Sequence, residues 1–119
     1  MKVSIEELKD EIEILRNSKK PIIVEGKRDQ IALKNLGIKS LTLKKPLYKI
    51  IETISEDNKG CIILTDLDKE GKRLFSKLQE NLEKRKVKID NRFRLFLLTK
   101  TTLKQIEGLE TYIKRLENN

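Results

Sequence analysis

The sequence contains no histidine, no tryptophan and only one cysteine among its 119 residues. Without histidine, Ser-His and Cys-His catalysis are excluded, and a zinc site is disfavoured. Cys61 lies inside an apolar run, which is typical of a small core residue rather than a nucleophile. No run of about 18 apolar residues is present, so no membrane span is expected. The acidic, amphipathic N-terminus does not look like a signal peptide, and a reduced, cytoplasmic protein is expected.

Aromatic residues are also scarce, at 4% of the chain, whereas charged residues make up 39% and give a formal net charge of +8. A basic excess of this size favours a polyanionic partner, most often nucleic acid. Abundant Lys, Glu and Ile are also typical of a thermophilic protein. Either explanation, a polyanionic partner or thermophily, would account for the same lysines. With few aromatic platforms for stacking bases, recognition of a duplex or a folded RNA through its backbone is expected.

The apolar pattern alternates between helix and strand along what reads as one domain, residues 1–119. Ser4 and Glu7 form a capping-box pattern that predicts a first helix over about 5–17. The other predicted helices cover about 29–36, 46–54, 69–86 and 102–117. The predicted strands cover 22–24, 40–43, 61–65 and 92–99. Alternation of this kind, with nearly continuous apolar strands, predicts an α/β fold with a central parallel four-stranded sheet covered on both faces.

Acidic residues follow two of these strands directly. Glu25 and Gly26 come after the first strand, and Asp66 and Asp68 come after the third. Ligand sites in open parallel sheets lie outside the carboxyl ends of the strands, so these side chains are expected to share one crevice if the two strands are neighbours. Clustered carboxylates repel one another unless a cation lies among them, and their oxygens suit Mg²⁺, with Mn²⁺ able to replace it.

Basic residues surround these acids. Lys27 and Arg28 follow Gly26 where a helix is predicted to begin, and Lys72 and Arg73 lie soon after Asp68. Residues 69–100 include 11 Lys or Arg and only 4 Asp or Glu, a net charge of +7. An acidic centre within a basic surround is what metal-assisted phosphodiester chemistry requires.

Each of these features also has a simpler explanation. An Asp-x-Asp pair is often helix-cap chemistry, and Asp66 could cap the following helix. Lysine and arginine runs are commonly a solvated helix face, and Gly71 could merely ease a helix entry. Tyr48 and Tyr112 are expected to be packing residues rather than nucleophiles. The combination of acids followed by bases at two strand ends carries more information than any one of its parts.

The stretches IIVEGKRDQIAL and CIILTDLDKEGKRL resemble the Toprim domain of topoisomerases, bacterial-type primases, recombination-repair proteins and 5S rRNA maturation nucleases. The matching features are Glu25-Gly26 after one strand and Asp66-x-Asp68 after another, about 40 residues later. The resemblance covers roughly residues 20–100 and is greatest to small stand-alone Toprim proteins and the 5S rRNA nucleases. It implies a Rossmann-like three-layer sandwich.

The resemblance also implies a role for each matching residue. Glu25 would act as general acid or base, or as a further metal ligand. Asp66 and Asp68 would hold Mg²⁺, with Glu70 contributing directly or through water. The implied phosphate and nucleic-acid contacts are Gly26, Lys27, Arg28, Lys72 and Arg73. The segment 103–113 follows the fourth predicted strand, where small Toprim nucleases carry further family residues, and it reads equally well as an amphipathic closing helix.

Two functions follow from this reading. The first is a Mg²⁺-dependent nuclease that cleaves structured RNA or DNA. The second is a non-catalytic module that binds nucleic acid, or docks in an RNA-processing or DNA-repair assembly. A topoisomerase or a primase is not expected, because a chain of this length has no room for their accessory domains and because no tyrosine nucleophile is apparent.

Overall fold

The computed structural model describes residues 3–43 and 46–118. Within them, one sheet contains the strands β1 (Ile22–Val24), β2 (Leu41–Thr42), β3 (Gly60–Leu64) and β4 (Lys88–Ile89). The accompanying α-helices are α1 (Ile5–Arg16), α2 (Lys27–Lys34), α3 (Leu47–Asp57), α4 (Lys69–Lys84), α5 (Arg92–Lys100) and α6 (Leu109–Glu117). A short 3-10 helix, Ile106–Gly108, precedes α6. In this part of the chain, no helix is both long and apolar enough to cross a membrane.

The sheet is entirely parallel, with the strand order β2-β1-β3-β4. The predicted four-stranded parallel sheet is therefore confirmed. The two central strands, β1 and β3, are direct neighbours, and Val24 pairs with Leu64 at their carboxyl ends. This adjacency positions the candidate site, because the residues after Val24 and Leu64 leave the sheet side by side.

Alternate strand residues face two separate hydrophobic cores, since side chains along a strand point to opposite faces. Ile22 and Val24 pack in the core covered by α1, α2, α5 and α6. Ile23 packs in the core covered by α3 and α4. The molecule is thus a Rossmann-like three-layer sandwich. Cys61 lies fully buried in the second core, and burial raises the pKa of its thiol to about 12, as suits a core residue.

The predicted position of the fourth strand is wrong. Residues 92–99, expected as a strand, form α5, and the strand is the two-residue β4 just before it. The leucines and phenylalanines of α5 are distributed around nearly the whole circumference of the helix. Its sequence therefore shows neither a clear helical period nor a clear strand period. In the structure, Phe93 and Leu97 both pack into the core at the i, i+4 spacing of a helix face.

The end of α4 explains where β4 begins. Lys86 adopts a left-handed conformation, with φ of 64°, directly after the helix. The Val87 N–H donates to the Leu82 carbonyl, and the Lys86 N–H donates to the Glu83 carbonyl, which is the Schellman pattern. The helix therefore stops two residues before the predicted end. Because a lysine rather than a glycine occupies this position, the sequence carries no stop signal there.

Two further predictions are wrong. The closing helix, predicted over about 102–117, starts only at Leu109, after an extended segment and the 3-10 turn. The backbone groups of Lys104 and Ile106 bond to the loop after β3 instead of forming helical hydrogen bonds. Tyr48 is 63% exposed and is not a packing residue, whereas Tyr112 packs against the first core as predicted.

Candidate functional site

The two predicted acidic segments meet at the carboxyl ends of β1 and β3. The Asp66 N–H donates a hydrogen bond to Glu25 Oε2 at 2.6 Å. This single contact joins residues 41 positions apart in the chain, and it follows directly from the pairing of β1 with β3. Glu25 and Asp66 therefore lie in one crevice, and the loop after β3 fixes one oxygen of the Glu25 carboxylate.

The segment between α5 and α6 holds the other side of Asp66. Asp66 Oδ1 accepts a hydrogen bond from the Ile106 N–H at 3.0 Å. The neighbouring Leu67 N–H donates to the Lys104 carbonyl at 2.7 Å. These bonds give residues 104–106, for which the sequence indicated no role, a defined place beside the predicted metal ligand.

Asp68, rather than Asp66, caps the helix that follows β3. It is the N-cap of α4, and its Oδ1 accepts from the Gly71 N–H at 2.8 Å. Gly71 is buried, and a Cβ atom built on it would lie 1.9 Å from the Asp66 carbonyl oxygen. The glycine is therefore required by the close approach of two backbone segments. Thr65 Oγ1 stabilises the same backbone contact, because it donates to the Gly71 carbonyl at 2.7 Å.

Asp29 is a fourth carboxylate of this crevice. It is only 7% exposed, and its Oδ2 accepts from the Gly26 N–H at 3.0 Å at the start of α2. The sequence pattern includes Asp29 in the Glu-Gly-Lys-x-Asp stretch, but gave it no role in the site. A Cβ on Gly26 would meet no atom within 4 Å, so open space adjoins the turn after β1.

Arg94 lies directly beneath the acids and was missed by sequence reasoning. It is 3% exposed, and it donates to the carbonyl oxygens of Thr65 and Asp66, the latter at 2.9 Å. Its guanidinium carbon lies 4.6 Å from the centre of the Phe75 ring. Burial lowers the pKa of Arg94, and the nearby carboxylates oppose this effect. Its only signal in the sequence is an arginine inside the apolar run 92–99, and the pattern of that run predicts a strand.

The carboxylates form no ion pairs with the described residues. None of the six ion pairs among residues 3–43 and 46–118 includes Glu25, Asp29, Asp66 or Asp68. The pKa of Glu25 is raised by burial and by repulsion from its acidic neighbours, despite the bond from the Asp66 N–H. Burial is also the main cause of the raised pKa values of Asp29 and Asp66. Arg94 offsets part of the negative charge of the crevice, but none of the four carboxylates forms an ion pair with a described residue.

The remaining predicted site residues lie at the starts of α2 and α4, the helices that follow β1 and β3. Glu70 is paired with Arg73 on the outer surface of α4, with 69% of its side chain exposed. That pairing lowers the pKa of Glu70 and leaves the residue outside the contacts between Glu25 and Asp66. Lys27 and Arg28 are exposed in the first turn of α2, and Lys72 is exposed in the first turn of α4.

The donor chemistry of the crevice suits a hard divalent cation. Among residues 3–43 and 46–118, no group of three or more His, Cys, Asp or Glu side chains is placed to hold a metal ion. Mg²⁺, however, usually binds through one or two carboxylates and keeps several waters. Glu25 Oε1, Asp66 Oδ2 and Asp68 Oδ2 accept no hydrogen bond from the described residues, whereas the second oxygen of each is fixed by a backbone N–H. The residues therefore fit Mg²⁺ in oxygen type, charge and preorganisation.

Comparisons with known proteins place the chain in a family. No protein-family model matches it. The UPF0292 protein of Methanocaldococcus jannaschii is 37% identical over 117 residues, which cover 93% of this chain and 88% of the relative. The UPF0292 protein of Pyrococcus abyssi is 38% identical over 102 residues, covering 82% and 77% of the two chains. A solved structure of a protein from Aquifex aeolicus is similar, with a TM-score of 0.76 and 29% identity over 85% of this chain and 96% of that one. The chain belongs to the UPF0292 family.

Proposed function

We propose that this chain is a Toprim-type, Mg²⁺-dependent nuclease of the cytoplasm that cleaves phosphodiester bonds in RNA or DNA. The observation that carries the proposal is the contact between Glu25 and Asp66 at the ends of two adjacent parallel strands, with Asp68 two residues further on and no ion pair to any of the three among the described residues. A divalent ion and a phosphate would together complete the charge balance of such a crevice.

Asp66 and Asp68 would hold the ion through the oxygens that are not bonded to backbone. When bound, Mg²⁺ supplies charge neutralisation at the phosphate and lowers the pKa of bound water. Glu25 Oε1 faces no donor in the described chain, and burial raises the pKa of this side chain, which suits it to accept and return a proton. Glu70, now paired with Arg73, would contribute through water.

Phosphate binding would come from the starts of two helices. Lys27 and Arg28 begin α2, whose N-terminal N–H groups and positive dipole end favour anions. The open space beside Gly26 leaves room for a phosphate to approach the backbone there. Lys72 and Arg73, in α4, would contact phosphates of the same nucleic-acid strand. Arg94 is a positioning residue, because it acts through the Thr65 and Asp66 carbonyls rather than on substrate.

A cleavage assay tests the proposal. Purified protein is incubated with labelled structured RNAs and DNAs in Mg²⁺, in Mn²⁺ and in chelator. Glu25→Gln and Asp66→Asn remove charge but keep an oxygen that can accept from the Asp66 and Ile106 N–H groups, so the fold should persist. Glu56→Gln and Asp57→Asn are the matched controls, since both residues are exposed on α3.

We expect cleavage that requires metal, falls at least about a hundredfold in each site variant, and persists in both controls. The alternative is a non-catalytic nucleic-acid module, which the pairing of Glu70 with Arg73 favours, because that pairing occupies one of the predicted ligands. Binding that is unchanged by chelator and by both site variants, with no cleavage of any substrate, would replace the nuclease with that module.

A further inference from the structure

A groove begins beside Asp68 and runs between two segments of the chain that follow α5. Its volume is about 810 Å³, which falls in the range of pockets that hold a bound ligand. One wall is the extended segment 101–105, and the other is the face of α6 that carries Thr111, Tyr112 and Arg115. The groove is thus continuous with the carboxylate crevice.

Most of the charged residues that line the groove are basic. Lys100, Lys104 and Arg115 line it, and Asp68 is the acidic residue among the described lining residues. None of the three cations takes part in an ion pair within residues 3–43 and 46–118. Cations without protein partners along a groove are available to an anionic ligand.

Hydroxyl groups add hydrogen-bonding capacity to the groove. Thr102 and Thr111 both line it, and neither hydroxyl makes a hydrogen bond to the described residues. Thr101 Oγ1, by contrast, is used within the chain, since it donates to the Leu97 carbonyl at 2.7 Å. Free hydroxyls next to lysine and arginine are typical contacts to phosphate and sugar oxygens.

The groove extends along α6 rather than around one point. Gly108 and Arg115 are seven residues apart, and at the helical rise this corresponds to roughly 10 Å. A stacked single strand advances roughly 3.4 Å per nucleotide, so this wall spans about three nucleotides.

We infer that this groove binds the single-stranded segment of nucleic acid that adjoins the scissile phosphate, with Lys100, Lys104 and Arg115 contacting its backbone. The inference rests on the proposed function and names its substrate class: nucleic acid with an unpaired stretch at the cleavage site. Two hydrogen bonds fix the position of the groove relative to the carboxylates: the Leu67 N–H donates to the Lys104 carbonyl, and the Ile106 N–H donates to Asp66 Oδ1. A strand held there would therefore pass the crevice in a fixed position.

Fluorescence anisotropy in chelator tests the groove separately from cleavage. The probes are a labelled oligouridylate and a blunt RNA duplex, with uridine monophosphate as competitor. The groove variant is Lys100→Ala with Arg115→Ala. The matched control is Lys59→Ala with Arg85→Ala, which removes the same number of charges from exposed positions just before β3 and just after α4. Equal thermal midpoints for both double variants show that each is folded.

We expect the groove variant to bind the oligouridylate about tenfold more weakly than the wild-type protein, and the control to change less than about threefold. The slope of log affinity against log salt should flatten by about 1.4, the value for two lost contacts to a single strand. The duplex should bind both variants alike. Equal losses in the two variants, no loss in either, or competition by uridine monophosphate as strong as by the oligonucleotide would overturn the inference.

The two proposals fail in different ways. If the nuclease proposal fails, no substrate is cleaved in Mg²⁺, but the difference between the groove and control variants persists in chelator. If the groove inference fails, the wild-type protein still cleaves in Mg²⁺, but the two double variants bind the oligouridylate alike.

Discussion

The turns after β1 and β3 use the same two residue types in opposite order. After β1, Gly26 is the N-cap of α2, and Asp29 at the third helical position bonds back to its N–H. After β3, Asp68 is the N-cap of α4 and bonds forward to the N–H of Gly71 at the third position. Each turn thus satisfies one backbone donor with a carboxylate, as helix starts require.

The two glycines nevertheless serve different purposes. A side chain on Gly26 would project into open space, whereas one on Gly71 would collide with the Asp66 carbonyl. The first turn is therefore open to a ligand, and the second is closed by packing. The comparison teaches that a glycine in such a motif can be retained for access in one turn and for close backbone contact in the other.

The largest effect should come from Gly71→Ala. The new Cβ would lie 1.9 Å from a backbone oxygen, so the loop after β3 and the start of α4 must separate. We expect a loss of at least about 3 kcal/mol in the free energy of unfolding, measured by urea denaturation. Gly26→Ala is the control and should cost only about 0.5 kcal/mol. Similar losses of unfolding free energy in the two variants would show that the turn after β3 is no more closely packed than the turn after β1.

Arg94→Met should have the next largest effect. It leaves the Thr65 and Asp66 carbonyls without their donors in a buried position, and we expect a loss of about 2 kcal/mol in stability. Arg85→Met, on the exposed end of α4, should change stability by less than about 0.5 kcal/mol. If Arg94→Met unfolds no more easily than Arg85→Met, the closed turn does not depend on this arginine.

Asp68→Ala should cost about 1 kcal/mol, because α4 loses its side-chain cap. Asp68→Ser keeps an oxygen that can cap and should restore most of this loss while still removing the charge. The pair therefore separates the structural role of Asp68 from its proposed role as a metal ligand. If the serine variant remains as unstable as the alanine variant, the cap is not the source of the effect.

The smallest effect concerns Asp90, which, unlike the crevice acids, has a lysine partner. Lys20 Nζ lies 2.9 Å from Asp90 Oδ2, and this bond is the main cause of the lowered pKa of Asp90. Because the pKa is lower in the folded state, the pair stabilises the protein above the ordinary aspartate pKa of about 4, and this contribution is lost as the pH falls through the lowered value.

Lys20→Met should therefore cost about 0.5 kcal/mol at neutral pH in low salt, since the pair is partly exposed and screened. The cost should disappear in acid, as followed by thermal unfolding across pH. Lys59→Met is the control and should show no such pH dependence. A cost that stays constant down to the acid limit would mean that the lysine stabilises the fold in another way.

The central strands and their acids could be predicted because their signals are local. Ile22–Val24 and Cys61–Leu64 are continuous apolar runs, and each is followed within two residues by a carboxylate. Parallel pairing then brings those ends together by geometry alone. The positions of Lys27, Arg28 and Lys72 at helix starts follow from the same local pattern.

The rest depends on contacts that are distant in sequence. The strand β4 is only two residues long, and α5 is apolar on nearly every side, so no period identifies either element. Arg94 is recognisable as a site residue only once α5 packs against the loop after β3. Residues 104–106 leave helical geometry because their backbone groups bond to that same loop, and nothing in their composition indicates this.

The hydrogen bonds between residues 104–106 and the loop after β3 mean that the acidic site is complete only when the C-terminal part of the chain is in place. A fragment ending before Lys104 could pair β1 with β3, yet it would leave the Asp66 carboxylate free to rotate. The acidic centre is thus finished by the last third of the polypeptide, not by the two short motifs that reveal it. Grafting those motifs alone onto another parallel sheet would transfer the charges without the constraint that aligns them.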